Sequence, residues 1–182
     1  KKIRDKDMYS PGAKIGLRPD RATIVYCNRI REAYKNVSII IGGIEASLRR
    51  FAHYDYWSDK VRKSMLIDSG ADLLIYGMGE KQVVKIAKQL NEGVEIKCIT
   101  QVLGTCYVTE NIDNIDNYIE IDSYKDVCRD MHKYSHAFKI QYDEQDPIRG
   151  AGIIQKHTNK YLVQNKPEMP LTREELDKVY NL

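Results

Sequence analysis

The sequence predicts an α/β fold of three layers, with helices on both faces of a mostly parallel sheet. Three observations carry this reading. Between Arg21 and Leu103, segments with helical apolar spacing alternate with short apolar runs in the order α-β-α-β-α-β, the pattern of parallel strands joined by crossover helices. The short runs are apolar or β-branched almost throughout, as strands covered on both faces are. Two of them end on glycines that lead into a helix, and in open parallel sheets that edge is where ligands bind.

Residues 1–19 read as an irregular basic segment, punctuated by Pro11-Gly12, Gly16 and Pro19. Asp20 is a candidate N-cap for a helix over 21–34, with Ile24, Cys27, Ile30 and Tyr34 on one face. Residues 37–41 predict the first strand, ended by Gly42-Gly43. A helix is expected over 47–53. A second, capped by Ser58 and carrying Val61, Met65 and Leu66, is expected to run to Gly70. Residues 71–76 form the next buried strand, turned by Gly77-Met78-Gly79. Glu80 then opens an amphipathic helix through Val83, Val84, Ile86, Ala87 and Leu90, ended by Asn91 and Gly93.

A third strand is expected over 97–103 and a short fourth over 118–121. Asp122 or Ser123 caps one longer helix carrying Tyr124, Val127, Cys128, Met131, Ser135 and Phe138. Past Gly150 comes a hairpin, with strands over 152–155 and 160–163 around a turn at His157-Thr158-Asn159. Pro167 and Pro170 mark a linker, and Thr172-Arg173-Glu174-Glu175 is a capping box for a last short helix. The expected division is an irregular segment over 1–19, an α/β domain over 20–149, and a C-terminal extension of small hairpin and helix over 150–182. With no strand ahead of the first helix, the chain reads as an incomplete piece of a longer protein.

At 182 residues, 42% apolar and 30% charged, the balance is that of an ordinary soluble domain. No apolar run approaches the roughly 20 residues of a membrane span. The charged N-terminus has no apolar stretch behind it, so a cytoplasmic location is expected. Cys27, Cys98, Cys106 and Cys128 form no CxxC pair and read as reduced, mostly buried thiols. Residues 1–70 hold 15 Lys+Arg against 8 Asp+Glu, and residues 71–182 hold 14 against 18. A basic first part admits nucleic-acid contact. The arginines are interleaved with carboxylates and aromatics, however, as on an ordinary solvated face.

The chemistry-bearing candidates lie at the two glycine turns. Gly42, Gly43 and Glu45 form one group; Gly77, Gly79 and Glu80 form the other. Glycine lets a ligand or a neighbouring backbone come close, and a helix start presents free N–H groups. The alternative is that glycine ends strands tightly and glutamate favours a first helical turn. Neither turn completes GxGxxG or GxxxxGK[ST]. Between them lies a polar-aromatic run with Arg49, Arg50, His53, Tyr54, Asp55, Tyr56 and Trp57. It reads as an interaction segment or as a network that neutralises itself and holds a loop. Cys128, His132 and His136 recur every four residues and would fit a metal on one helix face, but ordinary helix side chains are the simpler reading. No catalytic constellation and no metal ligand set is expected in the chain.

The string IGGIEASLRRFAHYDYWSDKVRKSMLIDSGADLLIYGMGE, with RPDRATIVYCNRIREAYK before it and NKPEMPLTREELDKVYNL at the end, resembles the N-terminal segment of YgiQ-type radical S-adenosylmethionine (SAM) iron–sulfur proteins. That resemblance implies a flavodoxin-like domain, similar to cobalamin-binding modules, ahead of a radical SAM barrel. In that barrel a CxxxCxxC motif holds a [4Fe–4S] cluster that binds SAM. It implies that both glycine turns line the ligand edge of the sheet, and that the core in cis is the partner. This chain has neither CxxxCxxC nor DxHxxG, so no cofactor is expected within it. The expected function is an accessory domain of a radical SAM enzyme, not itself catalytic. The alternative is a self-standing module binding a nucleotide-like ligand or RNA.

Overall fold

The structure, a computed structural model, describes residues 5–181; the first four residues of the irregular segment and Leu182 lie outside the described residues. The elements, in order, are α1 (Ala22–Ala33), β1 (Ile40–Ile41), α2 (Gly43–Leu48), β2 (His53–Asp55), β3 (Lys60–Arg62), α3 (Met65–Ser69), β4 (Leu73–Ile75), α4 (Glu80–Asn91), β5 (Thr105–Thr109), β6 (Tyr118–Ile121), α5 (Tyr124–Val127), α6 (Met131–Asp143), β7 (Gly152–His157), β8 (Lys160–Gln164) and α7 (Arg173–Tyr180). Six strands form one sheet in the order β1-β4-β5-β8-β7-β6, and β2 and β3 form a separate antiparallel pair.

Period-two alternation divides the core into two faces. Leu74 of β4 and Tyr76 just past its end join one apolar cluster with Cys27 of α1, Ala46 of α2, Leu66 of α3, Val127 of α5 and Ala137 of α6. Leu73 and Ile75 point the other way, to Ile86 of α4 with Ile99 and Val102. Helices therefore cover both faces of one sheet, the α/β layering the sequence predicts and one consistent with a flavodoxin-like fold.

Strand direction is mixed. β1 pairs with β4, and β6 with β7, in parallel. The three joints between them, β4–β5, β5–β8 and β8–β7, are antiparallel. The expected run of three parallel strands holds for the first two only. Residues 97–103 are not a strand. They hold a 3₁₀ turn at Ile96–Cys98 and then run back over the α4 face of the sheet, burying Ile99 and Val102. Gly104, with φ +71°, turns the chain beside the end of β4, where its carbonyl accepts the Tyr76 amide at 2.9 Å. β5 thus starts at the edge where β4 finishes. The buried apolar run gave a strand-like pattern because it packs on the sheet rather than in it.

The hairpin forms as expected, but not as an appendage: β7 and β8 are inner strands, held between β6 and β5. The sheet accordingly runs past residue 150 without a break. Three further expectations change. Ser58 caps no helix, because residues 53–62 fold as the β2–β3 pair, and Ser64 caps α3 by accepting the Leu66 amide at 3.2 Å. The helix expected after the first glycine turn begins earlier, at Gly43. The long helix after Ser123 is two helices. Ser123 caps α5, and Asp130 caps α6 by accepting the His132 amide at 2.8 Å. The capping box at Thr172 has both halves, with Glu175 accepting the Thr172 amide at 2.8 Å.

Candidate functional site

β1 and β4 lie side by side in parallel, with Ile41 opposite Leu74. Their carboxyl ends emerge together, so the turns that follow meet. A Cβ on Gly42 would lie 3.4 Å from the Ile75 carbonyl oxygen, and one on Gly79 would lie 3.1 Å from Ile75 Cγ2. Gly43 and Gly77 hold φ of +84° and +71°, a region that side chains with a Cβ adopt at a cost. The Gly77 amide donates to Ser47 Oγ at 3.2 Å, which joins the turn after β4 to α2. Gly42, Gly43, Gly77 and Gly79 thus form one edge.

The two glutamates differ in their surroundings. Glu45 accepts from Arg49 at 2.8 Å and from the Thr23 hydroxyl at 3.0 Å, tying α2 to itself and to α1. Glu80 is exposed in the first turn of α4. Around the glycines, Ile44 is 81% exposed, Leu48 74% and Met78 50%.

The polar-aromatic run splits. Arg50 stays at the edge and is only 8% exposed. Its Nε donates to Gln164 Oε1 at 2.5 Å and one terminal nitrogen donates to the Ser47 carbonyl at 2.6 Å. The guanidinium lies 5.0 Å from the Tyr76 ring centroid and 5.5 Å from that of Phe51. Ala52 crosses the sheet face, where its amide donates to Gln155 Oε1 at 2.8 Å. His53 and Tyr54 lie in β2, and the Tyr54 amide donates to the Tyr134 hydroxyl at 3.1 Å. Asp55 is buried and accepts from the Ser58 hydroxyl at 2.6 Å and from Arg21. The Ser58 hydroxyl, with Arg21, holds its carboxyl well below the usual carboxylate range. Tyr56 and Trp57 are exposed and meet edge to face at 6.0 Å. The partners of residues 53–57 include Phe51, Arg21, Ser58, Asp59 and Tyr134.

The sequence reading missed a set of buried amides and one buried imidazole on β7, at the end of β8 and on α4. Asn165 Nδ2 donates to the Thr100 and Val102 carbonyls and to Thr105 Oγ1 at 2.9–3.0 Å. Its side-chain oxygen accepts the Tyr118 hydroxyl at 2.7 Å, and its carbonyl accepts the Tyr76 hydroxyl at 2.6 Å. Gln155 bridges the Ala52 amide and the Asp122 carbonyl. His157, stacked on Tyr124 at 5.3 Å, sits 3.1 Å from Gln155 Oε1. Burial, aided by the Lys63 charge, pushes its pKa down to about 4. Gln82 of α4 is buried with neither amide atom hydrogen-bonded. The available signal was the apolar pairs beside them, Ile153-Ile154 and Leu162-Val163, which mark β7 and β8 as buried strands.

Among the described residues no group of three or more His, Cys, Asp and Glu side chains is placed to hold a metal. His136 sits 2.7 Å from Asp122, and Cys128 lies outside α6, with its thiol 3.8 Å from the Val61 carbonyl. Cys27 and Cys106 are buried, Cys98 and Cys128 exposed. These thiols do not fit a [4Fe–4S] cluster, which needs thiolates converging on one point. Among the described residues no helix is long and apolar enough to cross a membrane.

No solved structure matches the chain. It is 63% identical to a UPF0313 protein of Clostridium perfringens (strain SM101 / Type A) over 183 residues, covering all of this chain and 28% of that protein. It is 57% identical to a UPF0313 protein of Clostridium botulinum (strain ATCC 19397 / Type A), again over all of this chain and 28% of the relative. The chain thus spans 28% of the length of these curated relatives. The family model described as "Radical SAM N-terminal" matches residues 1–182, and the chain belongs to that family.

Proposed function

We propose that this domain is a non-catalytic accessory part of a radical SAM iron–sulfur enzyme, and that its glycine-turn edge packs on the catalytic core of the same polypeptide. The cluster and SAM belong, in this reading, to the core. This chain contributes a shaped surface that covers the substrate side. A reducing, cytoplasmic compartment suits its four free thiols.

One observation carries the reading. The edge joined by the Ser47–Gly77 hydrogen bond carries Ile44, Leu48 and Met78 at 81, 74 and 50% exposure. The sheet immediately behind is sealed, with Leu73 and Leu74 fully buried. Three large apolar side chains, two on α2 and one on the turn after β4, are costly in water, and a partner surface removes that cost at about 25 cal/mol per Å² covered. The rest of the polypeptide is the covering partner at the highest effective concentration.

The test is made in the full-length protein with Ile44→Asp combined with Met78→Asp. Both side chains are exposed, so the domain itself folds. Expected results are faster proteolytic cleavage between the domain and the core, and reduced SAM turnover. Unchanged cleavage and turnover would remove the docking role.

A further inference from the structure

We infer that Arg50 is the receptor for a single carboxylate that the described residues do not supply, and that this carboxylate completes the glycine-turn edge. The inference rests on the docking reading for its place in the protein, but its evidence is independent of it.

Seven arginines of the described chain make ion pairs: Arg18, Arg21, Arg29, Arg31, Arg49, Arg62 and Arg173. Arg129 and Arg149, which do not, are exposed to water. Arg50 alone is both buried, at 8% exposure, and without a carboxylate among the described residues. Its recorded partners are neutral: the Gln164 amide oxygen, the Ser47 carbonyl, and the faces of Tyr76 and Phe51. A buried charge without a counter-charge is among the most costly features a fold can hold.

The guanidinium is also not saturated. It has five N–H bonds, and two are used, one on Nε and one on a terminal nitrogen. Three remain. At 8% exposure the Arg50 residue keeps only a small opening to solvent. The Arg50 side chain is tied to the glycine-turn edge through Ser47. Ser47, which Arg50 holds through its carbonyl, binds the Gly77 amide through its hydroxyl. Gln164, at the end of β8, accepts the Nε hydrogen bond.

The charge count selects the ligand. One unpaired positive charge takes one negative charge, and the neighbouring Arg49 is already paired with Glu45 at 2.8 Å. A carboxylate matches in charge and in its two acceptor oxygens; a phosphate dianion would leave a second charge uncompensated. The carboxylate arrives on an Asp or Glu side chain of the docked core, or on a small molecule bound at the edge.

The experiment uses the full-length protein, purified and held in chloride without carboxylate buffers. Its structure is expected to show a carboxylate oxygen within hydrogen-bond distance of a free Arg50 N–H. An Asp or Glu beyond residue 182 identifies the core as the source, and a copurified small molecule identifies a ligand. Water or chloride alone at that position overturns the inference. In solution, the double variant Arg50→Met with Gln164→Met removes the guanidinium and its amide partner together. It is expected to melt several degrees below the parent, because a core carboxylate is left unpaired or a small carboxylate is no longer bound. An equal or higher melting temperature overturns the inference, since removing an uncompensated buried charge would then be neutral or stabilising. Ile44→Asp separates this from docking. If it loosens the core while Arg50 faces only solvent, docking stands and the carboxylate site falls. If it changes nothing while Arg50 holds a small carboxylate, docking falls and the site stands.

Discussion

The Ser47 hydroxyl accepts the Gly77 amide at 3.2 Å, although the two residues are 30 positions apart. That single bond ties the end of β4 to the helix that follows β1. Ser47→Ala leaves an exposed amide that water can reach, so the loss is modest. The expected cost is about 0.5–1.5 kcal/mol, measured by chemical denaturation of the parent and the variant. No loss would mean that β-strand pairing alone holds the edge.

Gly152→Ala tests a different contact. A Cβ there would fall 2.1–2.7 Å from ring atoms of Tyr118, so the ring must move. Its hydroxyl would then leave Asn165, which it now meets at 2.7 Å. The expected destabilisation is about 1–3 kcal/mol. Tyr118→Phe, which loses the hydroxyl and keeps the ring, is expected to cost less. Equal effects of the two would place the whole cost in the hydrogen bond.

Gln82 is 1% exposed with neither amide atom paired. Gln82→Met keeps the side-chain length and removes two unsatisfied polar atoms. A gain of about 1 kcal/mol or more in stability is expected. A loss would show that an internal water satisfies the amide. Thermal unfolding of the two proteins separates these outcomes.

His157 makes stability fall in mild acid. Its folded pKa is pushed down to about 4 from an ordinary value of 6.5. Between these values the unfolded chain binds a proton that the folded chain refuses. Stability is therefore complete above about pH 6.5 and declines as pH falls toward 4, by roughly 3 kcal/mol in all. His157→Gln is expected to flatten that part of the stability curve. An unchanged slope would assign the acid sensitivity to other groups. Asp55 acts lower: its depressed pKa contributes stability above the ordinary carboxylate value near 3.9, lost as pH falls through the folded value.

Several elements were legible because their signals are local. Helix α4 carries its acidic first turn, its amphipathic stripe and its Asn91 end within one stretch. Strand β6 was bounded by polar residues on both sides and spans Tyr118–Ile121 as read. The Thr172 capping box needs only four neighbouring residues. The parallel pairing of β1 with β4, and hence the meeting of the two glycine turns, followed from the helix between them. Other features depended on distant partners. Apolar periodicity reports that a residue is buried, not what buries it. Ile99 and Val102 therefore looked like a strand when they pack on one. The direction of β5 was set by where residues 94–104 carry the chain, and the central place of the β7–β8 hairpin by pairing with β5 and β6. Arg50 is the sharpest case. Its neighbours in sequence suggested a solvated or self-neutralised charge, yet its amide partner Gln164 lies 114 residues away. Burial of a charge is a property of the assembled sheet, because only tertiary packing decides which side chains exclude water from it.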